Sequence, residues 1–141
     1  MNNQQAFQWP VRVYYEDTDA GGVVYHSQYL NFMERARTEW LRHLGFEQTT
    51  LRDELDVIIV IRSLSIDYKS PARFNDLLTV SCTLAGAGRS SVDIAQQIVR
   101  DGVILVEAQV KGVFVQASTF KPVSIPPSIK QAMQQPSTES P

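Results

Sequence analysis

One cysteine, Cys82, among 141 residues leaves no partner for an internal disulfide. A basic surplus is missing as well. Thirteen lysines and arginines against fifteen acidic residues give a net charge of −2, without the basic stripe of a nucleic-acid binder, so no nucleic acid is expected as a partner. No run approaches the ~18 consecutive apolar residues needed to span a bilayer. The opening residues MNNQQAFQWP lack the cationic start and apolar core of a secretory signal. The expected location is the cytoplasm, with peripheral attachment to a membrane left open. Histidine occurs only at positions 26 and 43. A hard cation could recruit Glu16, Asp17, Asp19 and His26, but further ligands for a catalytic metal are lacking, and none is expected. Ser90 and Ser91 have no Gly-x-Ser-x-Gly setting, which removes the serine-hydrolase elbow. The glycines of GAGR precede no helical pattern and read as a turn rather than a dinucleotide loop.

What is present suffices for one domain with a real core, since 43% of the residues are apolar. From Ser27 to Leu44, apolar Tyr29, Met33, Ala36, Trp40 and Leu44 recur at spacings of three and four, with Arg35, Arg37, Glu39 and Arg42 elsewhere on the wheel. This predicts one long amphipathic helix closed by Gly45. FEQTTLRDEL follows as a short second helix or turn. Before the helix, VRVYY (Val11 to Tyr15) predicts a first strand with Val11, Val13 and Tyr15 facing inward. After residue 55 the pattern alternates: Val57 to Tyr68, then LLTVSCTL, SVDIAQQIV and VILVEAQVKGVFV. In the second of these strands Leu78, Val80, Cys82 and Leu84 share a face, and in the last Val106, Ala108, Val110 and Phe114 do. RDGV carries the Asp-Gly pair of a tight hairpin. The fold class is therefore α+β, with a five-stranded antiparallel sheet curled around one long helix. Residues 1–130 form the single domain, and 131–141 read as a mobile polar tail.

The stretch YYEDTDAGGVVYHSQYL concentrates polar chemistry where the first strand hands over to the helix. Two glycines let the chain reverse tightly, and the first N–H groups of the helix carry the positive end of its dipole. Those donors could hold a developing oxyanion, while a carboxylate on the preceding loop acts as nucleophile or as general base toward water. The combination suits acyl transfer. Plainer roles stand beside each residue. Aspartates in turns accept nearby backbone N–H groups, Tyr15 fits a core aromatic, and His26 fits a residue that orients the helix entrance. Cys82, on an apolar face with nothing basic expected beside it, reads as a small hydrophobe.

The run VRVYYEDTDAGGVVYHSQYLNFMERARTEWLR, supported by IDYKSPARFNDLLTV, closely resembles the YbgC-type acyl-CoA thioesterases of the 4-hydroxybenzoyl-CoA thioesterase group, within the hotdog superfamily. The resemblance spans roughly residues 8 to 130. It implies a hotdog fold, homodimers or homotetramers with the substrate channel between subunits, and hydrolysis of acyl-CoA without a cofactor, coenzyme A being part of the substrate. Asp19 matches the catalytic carboxylate. Tyr15 and His26 match positions implicated in catalysis, and backbone N–H groups at Tyr25 and His26 match the oxyanion donors. It further implies association with the Tol-Pal system. A reading from another class is a binding module whose acyl-chain groove docks acyl carrier protein or a phospholipid-synthesis enzyme at the inner membrane. A hotdog dehydratase is the other enzyme reading, disfavoured by the long DTDAGGVVYH run. For the coenzyme A phosphates, Arg62, Lys69, Arg73, Arg89 and Lys121 qualify by charge alone.

Overall fold

A computed structural model describes residues 6–135. Its elements are β1 (Phe7–Arg12), α1 (Gln28–His43), α2 (Gln48–Leu55), β2 (Val57–Tyr68), β3 (Leu77–Ala87), β4 (Ser91–Arg100), β5 (Val103–Gln116) and α3 (Pro127–Gln134). The sheet runs in the order β1-β3-β4-β5-β2, and every neighbouring pair is antiparallel. The short β4–β5 connection is the hairpin expected at RDGV. Asp101 and Gly102 both take positive φ, 51° and 78°, which matches the right-handed twist of the flanking strands.

Helix α1 buries Tyr29, Phe32, Met33, Ala36, Trp40 and Leu41 against the concave face of the sheet. The three- and four-residue spacing of these side chains makes one stripe, and each large member contributes about 1.5–3 kcal/mol by leaving water. The sheet answers with Leu78, Val80 and Cys82 from β3 and with Val106, Ala108, Val110 and Phe114 from β5, the faces predicted by alternation. The helix ends at Gly45 (φ 98°), whose N–H donates to Arg42 O while Phe46 N–H reaches back to Leu41 O. That pair of bonds satisfies carbonyls the last turn would otherwise leave open.

Four expectations change. The first strand is Phe7–Arg12 rather than Val11–Tyr15. Beyond Val13 the chain enters a 3-10 turn at Tyr15–Asp17, so alternation stops and Tyr15 points to solvent, 75% exposed. Arg37 is not on the solvated side of the helix but half-buried, its Nη1 donating to Oε1 of the buried Gln96 on β4. Cys82 consequently has a guanidinium in its neighbourhood. Burial still dominates and pushes its thiol up to about 12, against the opposing pull of Arg37 and Gln96, so it remains a packed hydrophobe. Lastly, α3 straddles the boundary drawn at residue 130: Pro126 and Pro127 start it, and Ile129 and Met133 enter the core. The rest of the tail, 136–141, lies outside the described residues.

On the far side of the sheet from β1, β2 pairs only with β5 among the described residues. Its residues from Ile61 to Ser65 are all exposed, and it contains no proline. Among the described residues no helix is long and apolar enough to cross a membrane.

Candidate active site

The segment between β1 and α1 folds as a small pinned hairpin. Thr18 and Val24 form an antiparallel bridge, Asp19 N–H donates to Val23 O, and Gly22 N–H donates to Asp19 O. Gly22 sits at φ 82°, the left-handed backbone that a glycine adopts without a Cβ penalty. A Cβ on Gly21 would lie 3.2 Å from Asp19 Oδ1, so the small residues of AGG let the carboxylate fold over its own turn. Asp19 Oδ1 accepts Gly21 N–H at 2.8 Å. The carboxylate is therefore held by the plain local turn bond that aspartates favour, yet its Oδ2 accepts nothing among the described residues and faces solvent.

The outer leg of the hairpin is tied to the loop before β3. Val24 N–H donates to Ala72 O, Val23 bridges Arg73, and the Tyr29 hydroxyl accepts Ala72 N–H at 3.0 Å. Asp76 closes that loop, accepting Arg73 N–H and the Arg100 guanidinium. Burial alone would raise the Asp76 carboxyl, but those two donors outweigh it and hold the group below the usual range. From the other side, Asp17 locks the turn to the helix. Its Oδ2 accepts Tyr14 N–H and its Oδ1 accepts Gln28 Nε2, both at 2.8 Å, and the residue is 5% exposed. The three acids of the sequence cluster thus diverge: Asp17 turns inward, while Glu16 and Asp19 turn outward.

Of the two backbone donors that the resemblance implies for an oxyanion, one is engaged and one is free. Tyr25 N–H donates to Asp17 O at 3.0 Å and is already engaged. His26 N–H and Ser27 N–H have no acceptor among the described residues, and they lie immediately before the first turn of α1. The ring of His26 leans on Tyr25 with centroids 4.3 Å apart, and its carbonyl accepts the Tyr68 hydroxyl at 2.8 Å. Tyr15 stacks on Phe74, centroids 4.0 Å apart at 12°, rather than in the core. Asp19, Tyr15 and His26 therefore share the exposed hairpin, but no hydrogen bond joins their side chains among the described residues. Of the cations proposed for phosphate, Lys69 is held by Asp67 and Glu107. Arg73 is exposed beside the hairpin and forms no salt bridge among the described residues.

Tyr68 and Gln28 escaped sequence reasoning. Tyr68, last residue of β2, lines a surface depression with Val24, His26, Tyr29 and Ser70. A tyrosine at a strand end carries no local signal, and only the packing of β2 against the helix entrance gives it a role.

The sequence profile of the thioesterase-like superfamily matches residues 13–133, nearly all of the domain that carries this hairpin. The chain belongs to that superfamily. Among similar thioesterases, the acyl-CoA thioesterase YbgC of Haemophilus influenzae is 46% identical over 126 residues, 89% of this chain and 93% of the relative. A probable thioesterase from Bartonella henselae superposes with a TM-score of 0.82 at 33% identity, covering 86% of this chain and 99% of its own. A 1,4-dihydroxy-2-naphthoyl-CoA thioesterase from Synechocystis gives 0.85 at 26% identity, covering 91% and 95%. The thioesterase fold is thus the hotdog that the sequence implies, with α1 inside and the sheet around it.

Proposed function

We propose that this chain hydrolyses acyl-CoA thioesters to the free carboxylic acid and coenzyme A. The observation that carries the reading is the 46% identity to an acyl-CoA thioesterase along 89% of the chain, hairpin included. A thiolate is a good leaving group, so a placed carboxylate and a polarised carbonyl can suffice without a full Ser-His-Asp relay. Asp19 Oδ2 supplies the carboxylate, attacking the thioester carbon or drawing a proton from water. The N–H groups of His26 and Ser27 stabilise the oxyanion. Tyr15 and His26 line the approach. No cofactor takes part. Incubation with acyl-CoAs of graded chain length in the presence of EDTA is expected to release thiol, detectable with a thiol reagent. Absence of release from every chain length sinks the reading, and a requirement for added divalent metal revises its chemistry.

The active unit in this proposal is a homodimer joined through β2, two of which make a homotetramer. An exposed twelve-residue edge without proline is a template for pairing, and Ile61 and Leu64 lie bare on it. A second copy pairing antiparallel along this edge covers both side chains. Sedimentation of the wild type should report an oligomer. Ile61→Asp and Leu64→Asp should each dissociate it by setting a charge into the seam. A monomeric wild type, or an oligomer indifferent to both substitutions, rejects this edge. The resemblance to the Tol-Pal-associated relatives carries the remainder of the proposal: a cytoplasmic enzyme working at the inner membrane face, beside acyl carrier protein or phospholipid-synthesis enzymes.

A further inference from the structure

Away from the Asp19 hairpin, a cavity of about 90 Å³ opens between the second half of α1 and the sheet. That is room for several ordered waters or a small ligand. One wall is apolar, made by Ile59, Ile61, Val92 and Ile94. Into this wall the fold sets one half-buried guanidinium. Arg37 donates a single side-chain bond, 2.9 Å from Nη1 to Gln96 Oε1, out of the five N–H donors a guanidinium carries. No carboxylate lies within salt-bridge distance of it among the described residues; Glu34, which also lines the cavity, is exposed and unpaired with it. No buried side-chain nitrogen or oxygen among the described residues lacks a partner, so the remaining Arg37 donors open to solvent.

The charge is also held from behind. Gln96, 1% exposed, spends its Nε2 on Met33 O at 3.1 Å and Cys82 Sγ at 3.3 Å, which leaves its Oε1 aimed at the arginine. Burial lowers the Arg37 pKa from its ordinary value and outweighs the opposing pull of Cys82 and Glu34, a sign that the group is partly stripped of water. Gly112 keeps the space open. A Cβ there would lie 3.2 Å from Ile59 Cγ2 and 3.5 Å from Val92 Cγ2, and its φ is not positive, so alanine fits the backbone and intrudes on the cavity.

We propose that this cavity binds the carboxylate of a short aliphatic acid, paired in fork geometry with Arg37 and with its chain on the Ile59–Ile94 wall. A pocket with one apolar wall and a guanidinium that has donors to spare suits that class, with Thr38 and Gln48 as further polar lining. The chemistry has two sources: a free acid, the class released by the proposed hydrolysis, or the distal carboxylate of a dicarboxylyl thioester. In the second case the site selects the substrate and the inference rests on the hydrolase reading; in the first it stands alone.

The test is calorimetric titration of the full chain with butyrate, beside thiol release from butyryl-CoA and glutaryl-CoA, in wild type, Arg37→Gln and Gly112→Ala. Gln keeps a donor near Gln96, and Gly112→Ala leaves Arg37 untouched, so loss of binding in both variants with unchanged melting reports the cavity and not the fold. Saturable butyrate binding that weakens by about tenfold or more in each variant supports the free-acid source. A preference for glutaryl-CoA over butyryl-CoA that disappears in Arg37→Gln supports the distal-carboxylate source. Wild type that neither binds butyrate nor prefers glutaryl-CoA overturns the proposal, as does either property surviving both substitutions. Titration needs no turnover, so a chain that binds butyrate but hydrolyses nothing fails only the hydrolase reading.

Discussion

Asp19→Asn should abolish thiol release while leaving the protein folded and oligomeric. The substitution is chosen for what it keeps. An amide oxygen at the same position still accepts Gly21 N–H, so the turn that holds Asp19 Oδ1 at 2.8 Å survives. What disappears is the negative charge and basicity at Oδ2, the atom without a partner among the described residues. A positioned general base is worth about 10²–10⁴ in rate, and loss of a nucleophile costs at least as much, so turnover should fall by ~10²-fold or more. Melting should shift little, because Asp19 is exposed. Asp19→Ala removes the turn bond as well and should be equally inactive with a slightly lower melting point. Full turnover by a folded Asp19→Asn protein rules out the carboxylate. Label found in the Asp19 side chain after a single turnover in ¹⁸O water identifies direct attack, since water then opens the mixed anhydride at the Asp19 carbon; an anhydride opened at the acyl carbon labels the product instead.

Asp17→Ala should instead unfold the hairpin from the helix. Its carboxylate is buried and accepts both Tyr14 N–H and Gln28 Nε2. Removing it strands two donors, at about 1–3 kcal/mol for each one left buried; because both bonds are only part-buried, a total loss of about 2–4 kcal/mol is expected in chemical denaturation. The same bonds hold the 3-10 turn against the start of α1, and Tyr25 N–H uses the Asp17 carbonyl to set the entrance. Loss of this brace should also depress turnover, because a carboxylate displaced by an ångström is no longer in line with the oxyanion donors. Asp17→Asn should fall between. Its Oδ1 can keep the Tyr14 N–H bond, but its NH2 meets the Gln28 amide unless that amide turns over, which breaks the bond from Asn31 Nδ2 to Gln28 Oε1. An Asp17→Ala protein as stable and active as wild type contradicts this role.

Asp17 and Asp19 show how far the sequence could be read. Both acids stand in one stretch, and both invite the same reading as turn residues or as members of an acidic cluster. The resemblance singles out Asp19 as the carboxylate, but neither period nor composition says that Asp17 is buried. Their fates diverge because Asp17 ends a 3-10 turn whose inner side is closed by Gln28, eleven residues away, while Asp19 opens a glycine turn with no such neighbour. Tyr15 failed for the same reason in reverse. Alternation carried it inward from Val11 and Val13, but the Asp17 carboxylate draws Tyr14 N–H into the turn and the phase is lost. Arg37 is another case: on a helical wheel it is one charge among several, and only Gln96, fifty-nine positions further on, brings it into the interior.

By itself, the sequence determined the long amphipathic helix, the four alternating strands after residue 55, the Asp-Gly hairpin and the membership that follows from Val11 to Arg42. These are carried by periodicity, turn chemistry and contiguous motif, which are properties of neighbouring residues. The tertiary structure alone decided which backbone N–H groups at the helix entrance stay free and which acid is buried as a brace. It also decided that Tyr68 reaches the His26 carbonyl, and that a guanidinium faces a cavity beneath α1. Each of those depends on a partner many residues away, and a hydrogen bond across such a distance leaves no period in the chain to read.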